Sequence, residues 1–374
     1  MANHQPYERY QRQILLKELG EDGQQKLLNA KVLVIGAGGL GCPVLQYLAA
    51  AGVGTIGIID DDTIAIHNLH RQPIYSMQDI GLPKASTAKA FLENLNPSIH
   101  ITAYVQRLTV TNALPLLKEY DVIVDGSDNF ATRYLVNDAC VLLDKPFVYG
   151  AISQFEGQVA VFNHSTGNTL PANYRHLFPE PPKEGTVLNC EEAGVLGVLP
   201  GIIGTMQANE TIKLITGIGT LLVNSLWTFN ALTNQSYQFS IATNATTSLL
   251  IPTDTAAFEK MDYEWLCGNS TTALEISVAE FDSLRKAVAI EIIDVRAMDE
   301  TPVIVEFLNK QIPLSEIDTR ATEIEKDIVV VFCQSGVRSK KAVAVLAGIF
   351  GESKKIYSLK GGITGWKSQT IKPV

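Results

Sequence analysis

Two clusters of reactive and phosphate-facing residue types stand out along the chain. The first opens with Gly36-Ala37-Gly38-Gly39-Leu40-Gly41, a glycine turn behind the apolar run Lys31 to Ile35. Glycines let a backbone turn tightly and approach a phosphate, and a following helix N-terminus supplies N–H donors. Asp60 ends the next apolar run, at about the spacing where an acid meets a ribose hydroxyl. Asn68, Arg71, Gln72, Lys84, Asp128, Asn129 and Arg133 follow along the chain. Several cations with a carboxylate suit a triphosphate with Mg²⁺ better than the pyrophosphate of a dinucleotide. No hydride site accompanies them, so a nucleotidyl or phosphoryl site is the leading reading and a nicotinamide oxidoreductase the weaker alternative. The second group is Cys333-Gln334-Ser335-Gly336-Val337-Arg338-Ser339. Backbone N–H groups of such a loop converge on the cysteine sulfur, and the helix signal behind it adds positive potential. Both favour an anionic sulfur able to carry a persulfide, and Arg338 adds charge within the loop.

These groups need elements to position them. Short apolar runs predict strands at Lys31–Ile35, Gly57–Asp60, His100–Tyr104, Tyr120–Val124 and Pro146–Tyr149. Helical spacing predicts helices at Cys42–Ala51, Pro83–Leu95 and Thr132–Leu143. Strands alternating with helices imply βαβ units and a mostly parallel sheet. Gly157–Asn163 and Leu226–Thr243 read instead as hairpin strands of an antiparallel extension, with an apolar helix from about Leu199 to Ile215 between them. Tyr7–Leu28 predicts one or two exposed helices. Thr243–Ser277 is rich in Thr and Ala without a clear period and reads as a linker. A second α/β unit starts near Val278, with strands at Glu291–Val295 and Ile328–Cys333 and a helix around Lys340–Phe350.

Length and composition agree with this division. The chain has 374 residues, enough for two or three domains, and is 46% hydrophobic and 18% charged, which excludes a disordered or disulfide-stapled class. Its formal net charge of −9 argues against a nucleic-acid binder. The 14 Lys/Arg and 13 Asp/Glu from Val278 onward nearly balance, so the acidity lies in the front part. No apolar run reaches membrane-spanning length, and Met1–Arg12 is too polar to read as a signal peptide. The five cysteines, Cys42, Cys140, Cys190, Cys267 and Cys333, include no C-x-x-C pair. A reducing cytoplasm with free thiols is expected.

At this point the chain resembles a family. Arg9-Tyr10-Gln11-Arg12-Gln13, the glycine turn, Asp60 with His67–Gln72 (H-N-L-H-R-Q), Leu82-Pro83-Lys84, Ser127–Arg133 (S-D-N-F-A-T-R) and Glu192–Gly204 are similar to the MoeB/ThiF/HesA group, relatives of ubiquitin-activating enzymes. The resemblance covers roughly residues 7–240. It implies ATP·Mg²⁺ and adenylylation of the C-terminal Gly-Gly carboxylate of a ubiquitin-like sulfur carrier. By position, Gly36, Gly38, Gly39, Gly41 and Asp60 would hold the nucleotide, Asp60 by its ribose. Arg71 and Lys84 would face the phosphates, and Asp128 the metal. Asn68, Gln72, Asn129 and Arg133 would support them. Arg12 resembles the family arginine that reaches the ATP site of another subunit, which implies a homodimer. Cys190 resembles the crossover-loop cysteine that in some members takes a covalent link. A thiol beside an acyl-adenylate could attack it, or could be idle.

The family usually carries a structural zinc on two C-x-x-C pairs. Here the first pair's positions hold Asn173 and His176, and the second's hold Glu264 and Cys267. No structural zinc is expected. A weak site from His176, Glu264 and Cys267 is the residual alternative.

The cysteine loop, with Asp294-Val295-Arg296 and Gly361-Gly362-Ile363-x-Gly365-Trp366, resembles a rhodanese domain over about 277–374. That implies Cys333 as the catalytic thiol, with Asp294 and Arg296 bracing the loop. The expected fold is therefore α/β. It comprises a Rossmann-like mixed sheet with an antiparallel extension over residues 1–243, a linker over 244–276, and a smaller rhodanese-like α/β domain over 277–374. The expected function is adenylylation of the carrier, then sulfur transfer from a Cys333 persulfide to give a thiocarboxylate. The molybdopterin, thiamine and tRNA-thiolation pathways all stay open. A cysteine desulfurase is a candidate sulfur donor. An adenylation-dead scaffold that only binds the carrier is the other alternative.

Overall fold

A strand buried on both faces reads as a continuous apolar run, because both alternating sets of side chains need cover. Lys31-Val-Leu-Val-Ile35 is such a run, and forms β1 (Lys31–Ile35), the central strand of the first sheet. Val32 and Val34 enter one apolar layer, Leu33 and Ile35 the other. In this computed structural model, residues 7–165, 170–179, 181, 194–244, 247–263, 274–298 and 300–370 are described. The chain forms two compact units, residues 1–267 and 268–374.

In the first unit β2 (Thr55–Ile59), β3 (His100–Tyr104), β4 (Val122–Asp125) and β5 (Phe147–Ser153) join β1 in parallel. β6 (Glu156–Phe162), β7 (Ser225–Asn230) and β8 (Gln235–Ser240) extend the sheet antiparallel. The order is β3-β2-β1-β4-β5-β6-β7-β8. Helices Gly41–Ala51, Lys84–Leu95 and Leu199–Thr216 cover one face. Ala113–Lys118 and Phe130–Leu142 cover the other. β2 and β3 leave β1 on one side, and β4 and β5 on the other. The carboxyl ends of β1 and β4 therefore flank a topological switch point, where open α/β sheets bind ligands.

The second unit is a parallel five-stranded sheet, β11-β10-β12-β13-β9. Its strands are β9 (Leu274–Ile276), β10 (Glu291–Asp294), β11 (Lys310–Gln311), β12 (Ile328–Phe332) and β13 (Lys355–Leu359). Val329 and Val331 face one small core, and Val330 and Phe332 the other.

The stretch read as a linker, 244–276, is not free chain where it is described. Asp254 caps the helix Thr255–Glu259, whose Phe258 is buried with Tyr263 in the first unit's core. Leu274–Ile276 pairs with β13 in the second unit. A three-residue strand and a one-turn helix leave too little sequence to show a period, which is why composition alone read as linker.

Candidate active sites

The Gly36–Gly41 turn leaves β1 with Gly36 at φ 87°, a left-handed conformation that glycine adopts without strain. A Cβ on Gly36 would lie 2.9 Å from the Gly126 carbonyl, so the turns after β1 and β4 touch. A Cβ on Gly41 would lie 1.9 Å from the Gly36 carbonyl oxygen. That glycine is required by packing where the helix starts. Gly38 differs: among the described residues the only neighbour within 4 Å of its Cβ position is Gln72 Nε2, at 3.6 Å, and the residue lines a cleft.

The cleft, about 410 Å³, lies at the carboxyl ends of β1 and β4. Its walls bring together Gly36, Gly38, Gly39, Asp60, Asn68, Arg71, Gln72, Lys84, Asp128, Asn129 and Arg133. These candidates span almost a hundred positions of sequence. Gly41 packs behind the turn. Arg12, on the short exposed helix Gln11–Ile14, does not line the cleft of its own chain.

Each cleft side chain is held by a local reason. Asp60 accepts hydrogen bonds from Ala37 N (2.7 Å) and Asp62 N (2.8 Å), tying the glycine turn to the end of β2. Burial raises its pKa, opposed by those N–H groups. Lys84 is buried and donates to exposed Asp62 Oδ2 at 2.7 Å. Arg71 Nη1 donates to the His67 carbonyl at 2.8 Å and lies 3.0 Å from His70 Nε2. Asn68 Oδ1 accepts from Ala65 N (3.0 Å) and Asn129 Oδ1 from Thr132 N (2.9 Å). Those two asparagines therefore spend their side-chain oxygens on capping. Asp128 is exposed at the rim. Arg133 donates to the Ser127 carbonyl at 3.3 Å and packs over Phe130 and Tyr149. Gln72 Oε1 is buried in the cleft wall and meets no hydrogen-bond partner among the described residues.

These residues fit a magnesium nucleotide. An open glycine face, an orphaned buried acceptor, cations from separate elements and a rim carboxylate meet in one nucleotide-sized cleft. Mg²⁺ in such sites is held by one or two carboxylates plus substrate phosphates and water. Ser127, His67, Gln106 and Arg107 also line the cleft and were not singled out from sequence. Ser127 and His67 lie inside motifs already noted, whereas Gln106 and Arg107 follow β3 with no local signal.

In the second unit, Cys333 follows β12 and is buried. Gly336 N donates to its sulfur at 3.2 Å, and Ser339 Oγ lies 3.7 Å away. Ser339 Oγ is held by the Gly336 carbonyl (3.0 Å) and Ser358 Oγ (2.9 Å). The helix Val337–Phe350 starts at this loop, aiming its N-terminus at the sulfur side. Arg296 forks onto Asp294 with contacts of 2.6 and 3.0 Å and reaches the loop through Nη1, 3.5 Å from Gln334 Oε1. Arg338 is not a free charge: its two terminal nitrogens go to the two carboxylate oxygens of Glu300, Nη2 to Oε2 at 2.8 Å.

The remaining cysteines divide. Cys42 and Cys140 are fully buried, and burial pushes both thiols up, as expected of packing residues. Cys190, Cys267 and Glu264 lie outside the described residues. At the first expected zinc pair, Asn173 Oδ1 accepts from Arg175 N and His176 Nδ1 accepts from Asn173 N, each at 3.0 Å. The two positions form a capping box on the helix Tyr174–Leu177. Behind it, buried Arg175 forks onto Asp138 at 2.7 and 2.8 Å, and Tyr263 Oη donates to the same carboxylate at 2.9 Å. Among the described residues no His, Cys, Asp and Glu cluster could hold a metal on protein ligands alone. No helix among them is long and apolar enough to cross a membrane.

Residues 10–249 match the model of the ThiF family, and residues 277–369 that of the rhodanese-like domain. The chain belongs to the ThiF family. This ThiF-family chain is 41% identical over 372 residues to the probable adenylyltransferase/sulfurtransferase MoeZ of Mycobacterium tuberculosis, covering 96% of this chain and 93% of that one. It is 49% identical over 263 residues to the sulfur carrier protein adenylyltransferase of Thermus thermophilus, covering 70% of this chain and 96% of the relative. The adenylyltransferase and sulfurtransferase MOCS3 of Culex quinquefasciatus is 38% identical over 388 residues, covering 97% and 88%. Among solved structures, E. coli MccB with ATP superposes with a TM-score of 0.56 at 23% identity, over 65% of this ThiF-family chain and 73% of that one. That likeness speaks for the fold.

Proposed function

We propose that this chain is an adenylyltransferase and sulfurtransferase acting on a ubiquitin-like sulfur carrier. The observation that supports it best is the pairing, in one ThiF-family chain, of a nucleotide-sized cleft with a buried cysteine whose sulfur accepts an N–H of its own loop. In this reading the open Gly38 face admits the phosphates, Asp60 holds the ribose, and Arg71 and Lys84 face the phosphate chain. Lys84 then exchanges its Asp62 partner for a phosphate oxygen. Asp128 would hold Mg²⁺, whose charge offsets that of the phosphates when bound. A carboxylate is a weak nucleophile, so positioning must supply much of the rate. One oxygen of the carrier's C-terminal carboxylate attacks the α-phosphorus. A C–O–P linkage forms and pyrophosphate leaves with the electron pair.

The outer sulfur of a Cys333 persulfide then attacks the acyl carbon, and AMP leaves. A second thiol opens the resulting acyl disulfide at the Cys333 sulfur, releasing the carrier thiocarboxylate. A further reducing thiol then frees Cys333 from that mixed disulfide, while Cys190 stays the candidate for attack on the acyl-adenylate. Arg12 on its exposed helix reaches the cleft of a second copy, which makes the enzyme a homodimer. A cysteine-desulfurase-type protein persulfide reloads Cys333. The setting is the cytoplasm, and the carrier decides the pathway.

ATP–pyrophosphate exchange should require a carrier ending in Gly-Gly. Cys333→Ser should abolish thiocarboxylate formation while exchange continues. No exchange with any Gly-Gly carrier would overturn the first half, and an equal fall of exchange in Cys333→Ser would overturn the division of labour.

A further inference from the structure

The loop that carries Cys333 brings its own cation, yet the structure spends it. Arg338 faces Glu300 in a fork-to-fork pair, the strongest geometry a guanidinium has for a carboxylate. Glu300 is itself anchored, since Ala297 N donates to its Oε1 at 2.9 Å. The guanidinium holds the Glu300 carboxyl well down, at about 2, so the partner is an anion at every working pH. Arg338 is near enough to Cys333 for the two charges to interact. The other arginine of the site, Arg296, is taken up by Asp294 and by the Pro302 carbonyl at 3.1 Å. Arg338 and Glu300 are both partly exposed, so small solutes can reach the pair.

We propose that Glu300 is a specificity-determining positioning residue of the sulfur site: by holding Arg338 it denies the loop a free cation, and so selects against small dianionic sulfur donors such as thiosulfate. The inference rests on reading Cys333 as the sulfur-carrying thiol. Loading from thiosulfate has a clear charge demand. The Cys333 thiolate attacks the outer sulfur and a new S–S bond forms. The S–S bond of thiosulfate breaks, and sulfite leaves with the electron pair as a dianion. A free guanidinium would bind the charge of the donor. A guanidinium already forked onto a carboxylate presents no net charge for that task. A donor whose reacting sulfur sits on a polypeptide does not depend on that cation.

The test uses the full chain with thiosulfate as donor and cyanide as acceptor, reading thiocyanate. Glu300→Gln should lower the KM for thiosulfate by about tenfold, as expected for one uncovered charge-assisted contact, with kcat changed by less than about twofold. The gain should shrink as salt rises. Glu300→Ala should move in the same direction, and Glu300→Gln with Arg338→Ala should lose the gain. An unchanged or raised KM in both Glu300 variants overturns the proposal, as does a gain that survives removal of Arg338. If mass spectrometry finds no persulfide on Cys333 with any donor, the reading of the sulfur site fails. If the persulfide forms and the Glu300 variants keep the wild-type KM, Glu300's role alone fails.

Discussion

Two glycines of one turn should fail in opposite ways when given a methyl group. In Gly41→Ala the new Cβ would fall 1.9 Å from a backbone oxygen, more than 1 Å inside the 3.0 Å that Cβ atoms keep. Neither atom can rotate away, so the helix start or the turn must move. Overpacking of this kind costs on the order of 3 kcal/mol. For a unit of this size that is a fall of roughly 6–12 °C in its melting transition. Among the described residues Gly38→Ala meets only Gln72 Nε2 at 3.6 Å, and it needs no unusual backbone angle. Its stability should stay within about 0.5 kcal/mol of wild type. The methyl would instead stand where phosphates approach, forfeiting a charge-assisted N–H contact worth about 1.5–3 kcal/mol, or roughly 10- to 150-fold in the KM for ATP. Calorimetric melting of the full chain and ATP–pyrophosphate exchange separate the two. The reasoning fails if Gly38→Ala melts well below wild type, if it exchanges with an unaltered KM, or if Gly41→Ala melts normally.

Asp128→Asn should cut carrier-dependent exchange by at least about a hundredfold and leave the melting transition in place, because the side chain is exposed. Near-normal exchange at saturating Mg²⁺ would remove Asp128 from the metal's neighbourhood. The Glu300 carboxyl, followed by NMR, should titrate near 2, against 4.5 for an ordinary glutamate. Because its folded pKa is depressed, the stability it lends is present above 4.5 and fades as pH falls toward 2. Arg338→Ala should return the midpoint toward 4.5, and a midpoint that stays low would assign the shift elsewhere. Metal analysis of tag-free protein should find no stoichiometric zinc. Asn173 and His176 serve as a capping box, and asparagine is a poor zinc ligand. A one-to-one zinc content would refute that.

Much of the first unit was legible because its signals are local. The Lys31–Ile35 run had to be a doubly buried strand, and the glycines behind it had to turn the chain into a helix. The cleft candidates were legible by type and motif, but the capping roles of Asn68 and Asn129 were not. Asn129 carries the look of a ligand, yet its oxygen caps the helix Phe130–Leu142. Glu300 gave no signal, because its partner lies 38 residues away and their pairing exists only once β10 and β12 are side by side. For the same reason Arg338 read as a free loop charge. β11, β13 and β9 escaped notice: two are three residues or shorter, and the Lys355–Leu359 run is flanked by charge and glycine.

β9 bears on where the chain can be cut. The rhodanese match begins at residue 277, but Leu274–Ile276 forms the outermost rung beside β13. A fragment expressed from 277 would leave the backbone amides and carbonyls of Tyr357–Leu359 open as a sticky margin, an invitation to self-association. A fragment that starts before Leu274 keeps its own edge covered, and is the piece to make when the sulfur-carrying half is wanted by itself.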